Sequence, residues 1–187
     1  MHMFHNKVVG SWLLTMLLGW SQLAGASGLD AAQQGKVDAK VKEIQSWAAT
    51  PTIVDAVKAY NSAKSPAAAG MDQAKWAGLS VIDPFVRGLT KNAAAEVLKA
   101  KKGEVVSEAF LSGADGGKIA FLGKPTNWSH QGKPKHDQPM SGKTWQGGVE
   151  VDESSGLQQV QVAVPVLDGG KPIGSLVVGL SVGKLGK

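Results

Sequence analysis

The 187-residue chain contains no cysteine. Disulfides, thiolate nucleophiles, iron–sulfur clusters and Cys-attached haem are therefore excluded in any compartment. Arginine is nearly absent too: Arg87 is the only one, so no set of guanidinium forks exists to grip phosphates or guanine edges in pairs. The 20 Lys and Arg against 15 Asp and Glu leave a net charge of +5. That excess attracts anions, but it nowhere condenses into the dense basic run expected of a nucleic-acid binder. The Gly-rich stretches GADGG and DGG match neither the Walker nor the dinucleotide pattern and read as hairpin turns, and G-x-S-x-G does not occur. Ser129 and His130 are neighbours, yet adjacent residues on an extended segment point opposite ways, so they do not make a hydrolase dyad. No enzyme activity and no bound cofactor are expected.

Long apolar runs are missing except at the amino terminus, where Lys7 precedes a mostly apolar stretch over residues 8–20, followed by Ala24-Gly25-Ala26. A basic start, an apolar middle and a small-x-small site describe a secretory signal peptide over residues 1–26. Cleavage removes 26 residues and one positive charge, leaving 161 residues of net charge +4. That length supports one domain, residues 27–187, with its own core. The expected location is the periplasm or the exterior.

The first part of this domain, to residue 102, carries helical signals. Val37, Val41, Ile44 and Ala48 recur at the spacing of one helix face between residues 29 and 49. Thr50-Pro51 predicts a cap and a new helix to about Tyr60, and Asp72, Asp83-Pro84 and Asn92 predict further starts, the last for a helix over residues 93–101. After Gly103 the period changes to two. A hairpin is expected around Ala114-Asp115-Gly116-Gly117, then strands over residues 149–152, 158–167 and 172–182, the last two joined at Asp168-Gly169-Gly170. Helices grouped on one side of an antiparallel sheet make an α+β fold. Val160, Val162 and Val164 are expected to face one side, with Val177 packed beside them.

Residues 122–148, LGKPTNWSHQGKPKHDQPMSGKTWQGG, form a long segment without regular apolar periodicity. Such segments are uncommon in compact domains, and its two tryptophans argue for a folded loop that covers a site. Trp128, His130 and Trp145 are expected to line a pocket, with Lys143 near the mouth and Lys124, His136 and Asp137 nearby. Aromatic faces supply contact area, and the lysines favour a small anionic ligand. His130, His136 and Asp137 are also metal-ligand types, but the spacing H-x5-H-D matches no zinc pattern. Metal binding stands as a third reading, and no metal ligand is assigned.

Four segments in order, IQSWAATPTIVDAVKAYN, VSEAFLSGADGGKIAF, TNWSHQGKP and GKTWQGGVEVDESSGLQQVQVAVPVLDGGKPIGSLVVGLSV, resemble the Cache family of extracytoplasmic PAS-like sensor domains. They are similar in particular to short secreted forms made of a single Cache domain, over residues 34–185. The resemblance implies a long N-terminal helix along a five-stranded antiparallel sheet, with the segment between the second and third strands closing a ligand pocket. It implies a small-ligand sensory module. With no second membrane helix and no output domain, signalling is expected through a partner such as a membrane receptor. The chain departs from amino-acid-binding members, which use a Tyr/Arg/Asp set, because its only tyrosine, Tyr60, falls on a predicted helix. An alternative role is a protein-interaction module that docks on a receptor or dimerises through the N-terminal helix. Exported protein is expected to begin at or within a few residues of Ser27, and intact-mass measurement of the exported material checks this.

Overall fold

A computed structural model describes residues 28–151 and 156–186. The predicted signal peptide lies outside the described residues. The elements run α1 (Ala31–Ala48), α2 (Pro51–Ser62), α3 (Pro66–Ala69), α4 (Gln73–Gly78), α5 (Pro84–Lys91), α6 (Ala93–Lys101), β1 (Val106–Ser112), β2 (Lys118–Phe121), α7 (Pro134–Met140), β3 (Trp145–Val151), β4 (Gln158–Asp168), β5 (Lys171–Ser181) and α8 (Val182–Leu185).

Local chemistry sets the helix starts. Asp30 and Gln33 form a reciprocal capping box on α1, and Asp72, Asp83 and Asn92 each accept a backbone N–H at the starts of α4, α5 and α6. Thr50 occupies the cap position of α2, but its hydroxyl donates back to the carbonyl of Trp47 and leaves Pro51 to start the helix. Among the described residues no helix is long and apolar enough to cross a membrane.

All five strands form one antiparallel sheet in the order β2-β1-β5-β4-β3. The expected α+β architecture, an antiparallel five-stranded sheet with a long N-terminal helix packed on it, is the one observed. Val160, Val162, Val164 and Val166 of β4 join Leu176, Val178 and Leu180 of β5 on one face, against Val37 and Ile44 of α1, Ile53 and Val57 of α2 and Leu98 of α6. Each fully buried aliphatic side chain here contributes about 1.5–3 kcal/mol.

Val177 differs from expectation. It pairs with Ala163, whereas Val162 pairs with Val178, so Val177 points to the opposite face. That second face is also dry at its centre: Val177, Ala163, Phe110 and Phe121 pack against Trp76, Val86 and Trp128. The sheet is covered on both sides, because its central strands carry apolar residues at successive positions. The 122–148 segment also differs. It contains the helix α7, and β3 begins at Trp145 with a register shift between Gln146 and Val149. Replacing Val162 by Asp buries an unpaired charge under α1 and α2. Loss of at least ~4 kcal/mol, enough to abolish a cooperative melting transition, is expected by circular dichroism.

Candidate functional site

Beyond the aromatic centre of the second face, toward the amino-terminal end of β4, the residues become polar. Glu108 of β1 and Gln161 of β4 both pair with Gly179 of β5, from opposite sides. Gln159 and Gln161 donate their amides to the Glu108 carboxylate, and Ser107 donates to Gln159 Oε1 at 2.7 Å. Lys135 closes the network by donating to Gln161 Oε1. Gly179 permits this bridge. A Cβ there would lie 2.4 Å from Gln159 Oε1 and 2.7 Å from both Glu108 Cγ and Ser107 Oγ. The β1 bulge between Val106 and Glu108 lets Ser107 join the network.

The connection after β2 builds a wall over this floor. Its first half hangs on α4: Trp76 Nε1 donates to the Pro125 carbonyl at 2.8 Å, Gln73 Nε2 donates to that of Thr126 at 3.0 Å, and the Trp128 N–H returns to Gln73 Oε1 at 2.9 Å. Lys124 Nζ sits 4.6 Å from the centre of the Trp76 ring. The second half is tied to the β1–β2 turn. Ser129 Oγ donates to the Asp115 carbonyl and the His130 N–H to that of Gly116. Gly116 has φ +76°, and a Cβ there would lie 2.5 Å from the Gln131 nitrogen, so only glycine fits. The His130 ring stacks on Phe110 with centroids 4.9 Å apart.

Between floor and wall lies a cavity of about 480 Å³. Glu108, Gln159, Gln161, Lys135, His130 and Lys124 line it, and Val81, Glu150 and Val151 also border it. His130 Nδ1 is buried and has no hydrogen-bond partner. Burial, reinforced by Lys118 and Lys135, holds the His130 pKa down to about 3, so its imidazole is neutral at pH 7.

Behind the cavity Lys118 is fully buried, donating to the Gly116 carbonyl at 2.9 Å and to Ser112 Oγ at 3.2 Å. Burial, together with Lys135, lowers its pKa to about 7 against the pull of Asp115. The Asp115 carboxyl is lowered in its turn: burial opposes ionisation, but hydrogen bonds from Lys64 and the Gly117 N–H outweigh it. Burial and the adjacent Asp115 raise the Tyr60 hydroxyl above its usual range.

Of the residues expected from sequence, the structure brings Lys124 and His130 into the cavity lining. Trp128 lies behind the wall, its ring 5.3 Å from that of Trp76 and 5.8 Å from that of Phe85. Trp145 packs beside this aromatic cluster and over Gly147. His136 is buried on α7, with Nδ1 at 2.8 Å from Ser175 Oγ and Nε2 at 3.2 Å from the Ala114 carbonyl. Both of its nitrogens are occupied. Asp137 is exposed and accepts the Gly132 N–H, and Lys143 is exposed. Among the described residues, no three His, Cys, Asp or Glu side chains gather as a metal site would require. Ser129 and His130 point apart, one to the turn and the other onto Phe110.

The floor residues Ser107, Glu108, Gln159 and Gln161 were not expected from sequence. Their signal was available: glutamines alternate with valines in QQVQVAV, on a strand whose other alternate positions, Ala163 and Pro165, are apolar.

No family model matches the chain, and no curated protein matches it. Among solved structures, the sensor domain of E. coli DcuS aligns over 84% of this chain and 96% of its own, at 13% identity and a TM-score of 0.49. The sensor domain of the V. cholerae histidine kinase DctB aligns over 82% of this chain at 15% identity and TM-score 0.45. The ligand-binding domain of the Pseudomonas aeruginosa PAO1 amino acid chemoreceptor PctC, in complex with GABA, also aligns over 82%, at 12% identity and TM-score 0.45. This chain spans 55% and 58% of the latter two. At these identities the likeness concerns the fold alone.

Lys118 gives a pH signature. Between about pH 7 and 10.5 the unfolded chain holds a proton that folded Lys118 has released. Unfolding takes up that proton, so this residue makes stability rise with pH through the window and keeps it lowest below pH 7. Lys118→Met keeps the aliphatic length without the buried charge. A gain on the order of 2 kcal/mol at pH 6, shrinking to nothing or reversing by pH 10, is expected in denaturant titrations at both pH values.

Proposed function

We propose that this chain is an extracytoplasmic sensory domain, without catalytic activity, that binds a small polar molecule over Glu108, Gln159 and Gln161 and reports occupancy through a partner protein. The polar floor carries this reading. A segment that merely sealed the sheet would set apolar side chains on it, as Trp128 does on the neighbouring Phe121 region. Here a carboxylate and two amides are held in one network beneath an open volume large enough for a metabolite.

The hydrogen-bond inventory defines the head group. Glu108 accepts two amide donors and retains acceptor capacity, while Lys135 spends one of three donors on Gln161. A ligand that donates to Glu108 and accepts from Lys135 satisfies both. The anionic group expected from sequence becomes one end of such a molecule, with Lys124 as a second cation on the wall. The neutral imidazole of His130 donates or accepts according to its tautomer. Dimerisation through the N-terminal helix has less support, because the large exposed hydrophobics among the described residues, Val81, Ile82, Val151, Leu157 and Leu167, all lie outside α1.

A thermal-shift screen of amino acids, amines and carboxylates, including GABA, which PctC holds, tests the reading. A ligand present at 100 times its dissociation constant adds roughly 2.7 kcal/mol of stability. Glu108→Ala and Gln161→Ala are each expected to weaken the hit at least tenfold, while Lys143→Ala changes it by less than about threefold. A hit that neither floor substitution weakens places the binding site elsewhere.

A further inference from the structure

We infer that the ligand is amphipathic and binds head-first, with its apolar tail against Val81, Ile82 and Val151 at the mouth of the cavity. This rests on the proposed ligand site and specifies the class of molecule it takes. Small-molecule pockets ordinarily have apolar walls and a few polar groups that fix orientation. Here the floor is polar, and exposed apolar side chains, Val81 and Val151, stand at the border beside Glu150. Val81 and Val151 line the cavity, yet they are 66% and 60% exposed. Ile82, next to Val81, is 73% exposed, and Leu157, beside the Val151↔Gln158 pair, is 55% exposed.

Single exposed hydrophobics scattered on a surface need no explanation. Val81 and Val151 border this opening, and Ile82 and Leu157 adjoin them along the chain and in the β3–β4 pairing, so four of the five large exposed hydrophobics among the described residues belong to the two segments beside it. The fifth, Leu167, lies toward the other end of β4. The turn carrying Val81 and Ile82 is hydrogen-bonded in place: the Asp83 N–H donates to the Ser80 carbonyl, the Ile82 N–H to Ser80 Oγ, and Asp83 caps α5. These two side chains are thus held outward by a built turn. Phe110 and Pro125 also line the cavity and add apolar surface to it. Because the apolar rim and the polar floor border one volume, a single molecule with both characters satisfies them together. A protein partner seated on the rim would leave the floor unused.

Calorimetry with three homologous series tests this: linear 2-amino acids, 1-alkylamines and linear carboxylates, each from two to eight carbons. In the series whose head the floor accepts, the dissociation constant is expected to fall about fourfold per added methylene until the tail clears the rim. In the double variant Val81→Ser, Ile82→Ser, with folding checked by melting, the dependence on length is expected to flatten. Affinity independent of length, but still lost in Glu108→Ala, overturns the inference and leaves the ligand site standing. A length dependence that persists undiminished in the double variant also overturns it, since the tail then lies elsewhere. If no member of any series binds, the inference and the ligand site both fall.

Discussion

The central strand β5 is buried on both faces, and the rest of the molecule is arranged around that constraint. Leu176, Val178 and Leu180 point to one side and Ser175, Val177 and Gly179 to the other, and all six are buried. On the first side the solution is ordinary: amphipathic helices bring Val37, Ile44, Ile53, Val57 and Leu98 to a uniform aliphatic surface. The second side offers three different rows in succession. Lys118, Ser112 and Ser175 are polar, Phe121, Phe110, Val177 and Ala163 are apolar, and Glu108 and Gln161, on either side of Gly179, are polar again. No single helix covers such a surface. A connection of mixed character does so, with Trp128 over the apolar row and His136 bonded to Ser175 in the first polar row. The remaining polar row lies under the cavity.

The two polar rows receive opposite treatment. Around Lys118 every available partner is drawn inward: the Gly116 carbonyl, Ser112 Oγ and the Phe110 ring face it, and burial drives its pKa toward neutrality. Around Glu108 the partners are neutral amides, which satisfy part of the carboxylate without cancelling its charge. A buried cation with its donors occupied is a structural expense that the fold must offset. A charged group left under a cavity with spare acceptor capacity is what recognition requires. The exposed salt bridges, such as Lys58–Asp168 and Lys75–Asp72, belong to neither row and add little.

Much of the architecture was legible in the residues. The caps at Asp72, Asp83 and Asn92, the change of period after Gly103 and the glycines at Asp168-Gly169-Gly170 are local signals, and the elements start and end where these place them. α7 was not legible, because Pro134 and Pro139 in KPKHDQPM argue against a helix, although proline is tolerated in a first turn and a seven-residue helix has little interior to break. The face of Val177 is not legible because apolar residues run consecutively through LVV, so alternation carries no phase there. The cavity floor was hidden for a related reason. Loops attract attention as binding elements, whereas Gln159 and Gln161 read as the solvent side of a strand until the second layer is known to cover that side.

The tryptophans of the long connection show why composition alone misplaces a site. Trp128 and Trp76 do not face the cavity. They decide where its wall stands, because Trp76 also holds the Pro125 carbonyl and Gln73 clasps the backbone on either side of Asn127. The wall has a second anchorage, through Ser129, His130 and His136 to the turn at residues 114–116, and that turn is bonded through Asp115 to Lys64 near the end of α2. Lys124 belongs to the first anchorage and Lys135 to the second, and both line the same volume. A molecule held between these two lysines therefore bridges two parts of the wall that are otherwise fixed to different helices.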